Sequence, residues 1–169
     1  MNLGRRLSGS RSVERFEFRP HELGRVVRCL ESMTVERQGW VNLLPGIEEG
    51  PAQTDELPGI FGLLGGGPPP VTMCTWVPPR SGRTGAEEVT IGVLHPLRRK
   101  VLRELADASM GLPPDWRLTQ DHPRRGLVVN VPLNTPAEDV VAWLLGAGTL
   151  LCPMPLTGSW QAEVHSSNK

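Results

Sequence analysis

EVTIGVLHPLRRKVLREL, residues 88–105, changes its hydrophobic period part-way along. Val89, Ile91 and Val93 alternate with more polar or smaller neighbours, the period of two expected of a half-buried strand over Glu88–Leu94. Beyond His95, Leu97, Val101, Leu102 and Leu105 recur at helical spacing, with Arg98, Arg99, Lys100 and Arg103 on the other side. Pro96 suits the first turn of a helix, where its missing N–H costs nothing. The stretch therefore predicts a strand feeding a helix.

The pattern continues toward the C-terminus. Pro113-Pro114 ends the helical segment, and Trp116–Gln120 and Leu127–Val131 flank the turn DHPRRG as a hairpin. Thr135-Pro136-Ala137-Glu138 has the residues of a capping box. Val140, Val141, Leu144 and Leu145 supply a buried stripe behind it, and Gly146 and Gly148 are placed to stop that helix. Trp160–Val164 alternates as a last strand. Strand, helix, strand, strand, helix, strand is the split βαβ plan. The expected fold is thus α+β, an antiparallel sheet with helices on one face and a ferredoxin-like C-terminal half.

Toward the N-terminus, Val13–Phe18 reads as a strand. A helix from Pro20 buries Leu23, Val26, Val27, Leu30 and Met33, and Gly39–Leu44 reads as a second strand. Val71–Val77 is a third, joined to Glu88 by a turn-rich link. Pro20 to Trp40 and Pro96 to Trp116 share a spacing of twenty, which raises a degenerate duplication as the lesser alternative. The organisation expected is a flexible arm at 1–12, a strand–helix–strand at 13–44, a Pro/Gly-rich loop at 45–70, and an α+β portion at 71–166 sharing one core with 13–44.

The loop holds seven glycines and six prolines, too many for a helix or a central strand. LPGI occurs in it twice, at Leu44–Ile47 and Leu57–Ile60. Pro-Gly is turn chemistry, so both copies read as turns anchored by flanking apolar residues. Leu57, Ile60, Phe61, Leu63 and Leu64 are the candidate partner-binding residues.

Composition excludes more than it assigns. The 169 residues carry 18 basic and 18 acidic side chains, against the basic footprint that nucleic acid or an anionic membrane requires. No run approaches the ~20 apolar residues of a membrane span. The twin arginine of MNLGRRLSGSR is followed by no apolar run, so it does not read as a signal peptide. Cys29, Cys74 and Cys152 lie far apart, an odd set that suggests buried thiols in a reducing compartment. A cytoplasmic protein is expected.

No GxGxxG or GxxxxGK[ST] follows a strand, no GxSxG occurs, and the four histidines lack metal-ligand spacing. No catalytic residue, metal or cofactor is therefore assigned. Two basic stretches remain. His95, Arg98 and Arg99 lie at a strand-to-helix junction, and His122, Arg124 and Arg125 lie in the DHPRRG turn beside Asp121. Both suit an anion, through free helix N–H groups or through guanidinium forks. Each also reads plainly as turn geometry with solvated charge.

The leading functional expectation is a non-enzymatic interaction or regulatory module, with a protein partner or self-association. The alternative is a small enzyme or sensor that binds an anionic metabolite between the two basic stretches. A third is an accessory subunit of a larger complex.

Overall fold

The computed structural model describes residues 11–48, 71–79 and 88–167. The LPGI copy at 57–60, the candidate partner-binding residues Leu57, Ile60, Phe61, Leu63 and Leu64, and most of the 45–70 loop lie outside the described residues. So do residues 1–10 of the expected arm; its last two residues belong to the first strand.

Among the described residues ten elements follow one another: β1 (Arg11–Phe18), α1 (Gly24–Glu36), β2 (Trp40–Ile47), β3 (Met73–Val77), β4 (Glu88–Leu94), α2 (Leu102–Asp107), β5 (Arg117–His122), β6 (Gly126–Pro132), α3 (Ala137–Leu151) and β7 (Leu156–Ser167). The fold is α+β. The strands form one antiparallel sheet in the order β1-β7-β2-β3-β4-β6-β5. A ferredoxin-like unit would set β7 directly beside β4. Here β2 and β3 stand between them, so the C-terminal six elements do not close a sheet of their own.

Alternation works as the sequence implies. Phe16, Phe18, Val41, Leu43, Cys74, Trp76, Val89, Ile91, Val93, Leu127, Val129, Val131, Trp160, Ala162 and Val164 are all buried. The register puts them side by side on one face, for example Phe16–Ala162–Leu43–Cys74–Val93–Leu127 across six strands. All three helices cover that face. α1 lays Arg25 over the Phe16 ring, 3.9 Å from its centroid, and pairs it with Glu14. α2 is tied to Asp121 of β5, and α3 sits on Cys74 and Trp160. The N- and C-terminal portions thus share one core.

Five local expectations are corrected. The first LPGI is not a turn: Pro45 and Gly46 extend β2, which pairs Pro45 with Trp160 and slips register before Ile47. β3 pairing stops at Leu43, so Pro45 meets no ladder on that side that would need its N–H. The helix expected from Pro96 starts only at Leu102, because Arg98 takes a left-handed conformation (φ 53°). The helix expected from Pro20 begins at Gly24. The capping box does not form. Pro136 is the N-cap residue and no side chain caps α3. Glu138 and Asp139 still oppose the positive end of the helix dipole.

Gly146 and Gly148 do not end α3, which continues to Leu151. Their role is close approach. A Cβ on Gly148 would lie 2.7 Å from Trp160 Cη2 and 2.8 Å from Cys74 Sγ. A Cβ on Gly146 would meet the mobile end of Met110, 2.6 Å from Cε. Gly148→Ala is therefore expected to destabilise the chain by ~1–3 kcal/mol through overpacking, despite alanine's better helix propensity. Gly146→Ala should be neutral or stabilising by up to ~1 kcal/mol, since Met110 can swing aside. Urea denaturation of the two variants separates them.

Candidate functional site

Asp121, at the start of the DHPRRG turn, reaches the chain just past the first basic stretch. Both carboxylate oxygens of Asp121 accept backbone N–H groups from the start of α2, Val101 at 3.1 Å and Leu102 at 3.3 Å. Those N–H groups would otherwise lack partners at the helix start. A side chain twenty residues away in sequence thus caps the helix that the local sequence does not cap.

Most of the chemistry in these stretches is spent on structure. His122 Nδ1 accepts the N–H groups of Arg124 and Arg125 at 3.1 and 3.3 Å. Gln120 donates to the carbonyls of Arg125 and Gly126 and closes the same turn. Gly126 has φ +76°, and a Cβ there would strike the Val93 carbonyl. Arg99 forms a two-pronged pair with Glu104 at 3.0–3.1 Å. Arg98, Arg124 and Arg125 are exposed and form no ion pair among the described residues.

His95 is the exception. It is only 1 % exposed, and neither ring nitrogen has a hydrogen-bond partner among the described residues. Thr72, fully buried, has a hydroxyl with no partner among the described residues. Continuing the β3–β4 register one step past Met73–Leu94 places Thr72 across from His95. Burial lowers the His95 pKa, with Arg99 pushing the same way, while Asp121 and Glu104 pull it up. Acid–base work would need His95 to reach a substrate. Recesses among the described residues include one of 380 Å³ beside Trp116 and Trp143, one of 400 Å³ along α3, and an open 530 Å³ groove over α2 that includes Arg99; His95 lines none of the three.

Among the cysteines, Cys74 donates to the Leu144 carbonyl at 3.2 Å, and burial pushes its thiol up to about 12. That makes it an inert core residue. Among the described residues, no cluster of His, Cys, Asp and Glu could hold a metal ion, and no helix is long and apolar enough to cross a membrane.

The helix-free face of the sheet is the feature that reading for motifs missed. Its polar side chains bond across strands. Arg15 reaches Glu163 at 2.8 Å, and Thr75 donates to Asn42 at 3.0 Å. Thr90 donates to Asn130 at 3.2 Å, and Glu88 takes bonds from Arg117 and Asn130 at 2.6 and 2.9 Å. The Arg117 guanidinium holds Glu88 below the usual carboxylate range. At one margin the Trp40 and His165 rings stack, with centroids 4.5 Å apart. Leu44, Met73, Val77, Leu94 and Val128 lie among these groups, half-buried. The signal was present in single strands, as Asn42, Thr75, Thr90 and Asn130 at outward positions. Only the register shows that they meet.

The chain matches no family model, no curated protein and no solved structure. Its function is therefore read from these residues alone.

Two outcomes follow. Asp121→Ala should cost ~1 kcal/mol, as loss of a helix cap does, and should speed hydrogen exchange at Val101 and Leu102. His95 has a folded pKa below its unfolded value, so its contribution to stability is complete above about pH 6.5 and is lost as pH falls through the folded value. Stability measured by urea titration should drop from pH 7.5 to 5.5, and His95→Gln should flatten that drop.

Proposed function

We propose that this chain is a non-enzymatic interaction module that presents the helix-free face of its sheet to a protein partner. The observation that carries this reading is the cross-strand network of that face. Side chains already held by Arg15–Glu163, Asn42–Thr75, Thr90–Asn130 and Glu88–Arg117 bonds lose little further freedom on binding. Polar groups mixed with half-buried Leu44, Met73 and Leu94 match the composition of a non-obligate interface. The spending of Asp121, His122 and Arg99 on capping, turn closure and an ion pair supports the same reading over catalysis.

A second reading has its own support. Asp121 ties the chain after Arg98 to the strand that leads into the Arg124–Arg125 turn, and these arginines, exposed and without an ion pair among the described residues, suit an anion. Architecture also supports an internal duplication. β1 and β2, linked by α1, sit astride β7, as β4 and β5, linked by α2, sit astride β6.

A photo-crosslinking amino acid at Thr75, with a control at Ser32 on the exposed side of α1, tests the proposal in cells of the source organism. The expected result is a protein adduct at position 75 that is absent at 32 and lost in Thr90→Arg. Equal labelling at both sites, or none, removes the interaction reading. A thermal shift with an anionic metabolite that disappears in an Arg98→Ala/Arg125→Ala variant would put the second reading in its place.

A further inference from the structure

The two edges of the sheet differ. β5 slips register between Leu118 and Gln120, and such a bulge blunts an edge against further pairing. β1 pairs with β7 through eight successive residues without a slip. Among the described residues, nothing pairs with its other side, so its outward N–H and C=O groups form a regular template.

The side chains of β1 say what fits that template. On the helix-free face it carries Val13, Arg15 and Glu17, and on the helix face Glu14, Phe16 and Phe18. We propose that β1 pairs antiparallel with β1 of a second copy about a two-fold axis at Phe16. The axis stands perpendicular to the sheet, so both copies keep their helices on the same side and residues of equal parity face one another. Only certain registers then suit the charges. Centring on Glu14, Arg15 or Glu17 sets that residue against its own copy, like charge on like. Centring on Phe16 sets Arg15 opposite Glu17 twice, ring against ring between them. Opposite charges facing across strands are favourable and like charges are not.

Arg15 already reaches Glu163, and Glu17 has no ion pair among the described residues, so the pairing gives each Glu17 a cation. Glu14, a charge on the buried side that would otherwise deter pairing, is neutralised within its own copy by Arg25. Seven strands from each copy would make one continuous sheet with a doubled helix-free face. The dimer stands without the interaction-module reading, although it would enlarge the surface that reading uses.

Light scattering on the full chain tests it. Wild type should show twice the 18.5 kDa chain mass. Glu17→Arg alone and Arg15→Glu alone should each be monomeric, because each places like charges opposite one another. Mixing the two should restore the dimer, because both pairs between positions 15 and 17 are then Arg against Glu. Mass recovered only on mixing also shows that both variants are folded. A monomeric wild type, a dimeric Glu17→Arg, or a mixture that stays monomeric overturns the proposal. Crosslinking at Thr75 that persists in Glu17→Arg would leave the partner-binding reading standing while the dimer falls.

Discussion

α3 lies so close to the sheet that Gly148 has no room for a side chain. Trp160 from β7 and Cys74 from β3 occupy that space, and the Cys74 thiol donates to the Leu144 carbonyl one turn earlier. β7 and β3 are separated in the sheet only by β2, so one helix covers the strands that join the N- and C-terminal portions. Leu144, Leu151 and Val141 are fully buried beneath it. α3 also carries the chain from β6, near one edge, to β7, near the other. This crossing leaves room in the sheet for β2 and β3. Strand order, shared core and helix packing all depend on that one close approach.

Among the described residues every helix lies on one face, and the other face carries side chains alone. Seven antiparallel strands expose one surface of mixed polarity. Its polar groups find partners on other strands, from the next one in sequence, as in Asn42–Thr75, to the far end of the chain, as in Arg15–Glu163, which orders the surface. The proposed use of that face follows from its order and composition. Around DHPRRG the opposite holds: the residues that resemble catalytic groups are consumed by the backbone. Asp121 holds the start of α2 and His122 shapes its own turn.

Where local sequence misled, a tertiary contact had prevailed. Gly146 and Gly148 look like helix stops because glycine is a poor helix former. They stay helical because the neighbours of α3 need the space. Thr135 looks like a helix cap, yet Pro136 sets the helix start one residue later. Pro96 looks like a helix start, yet the chain turns through Arg98 before α2 begins where Asp121 can reach it. Pro45-Gly46 looks like a turn, yet it lies where β7 alone supplies the ladder.

The sequence by itself pointed to seven strands and, in Val13–Phe18, Glu88–Leu94 and Trp160–Val164, to the residues that face the core, because alternation in a half-buried strand has only one side to hide. It also determined the presence of three helical segments and the absence of familiar catalytic spacings. Tertiary structure decided the strand order, the reach of Asp121 to α2, the burial of His95 across from Thr72, and the bonding across the helix-free face. Each of these depends on residues distant in the chain meeting at short range. Periodicity carries the face of a side chain, but not the identity of its neighbour across the next strand.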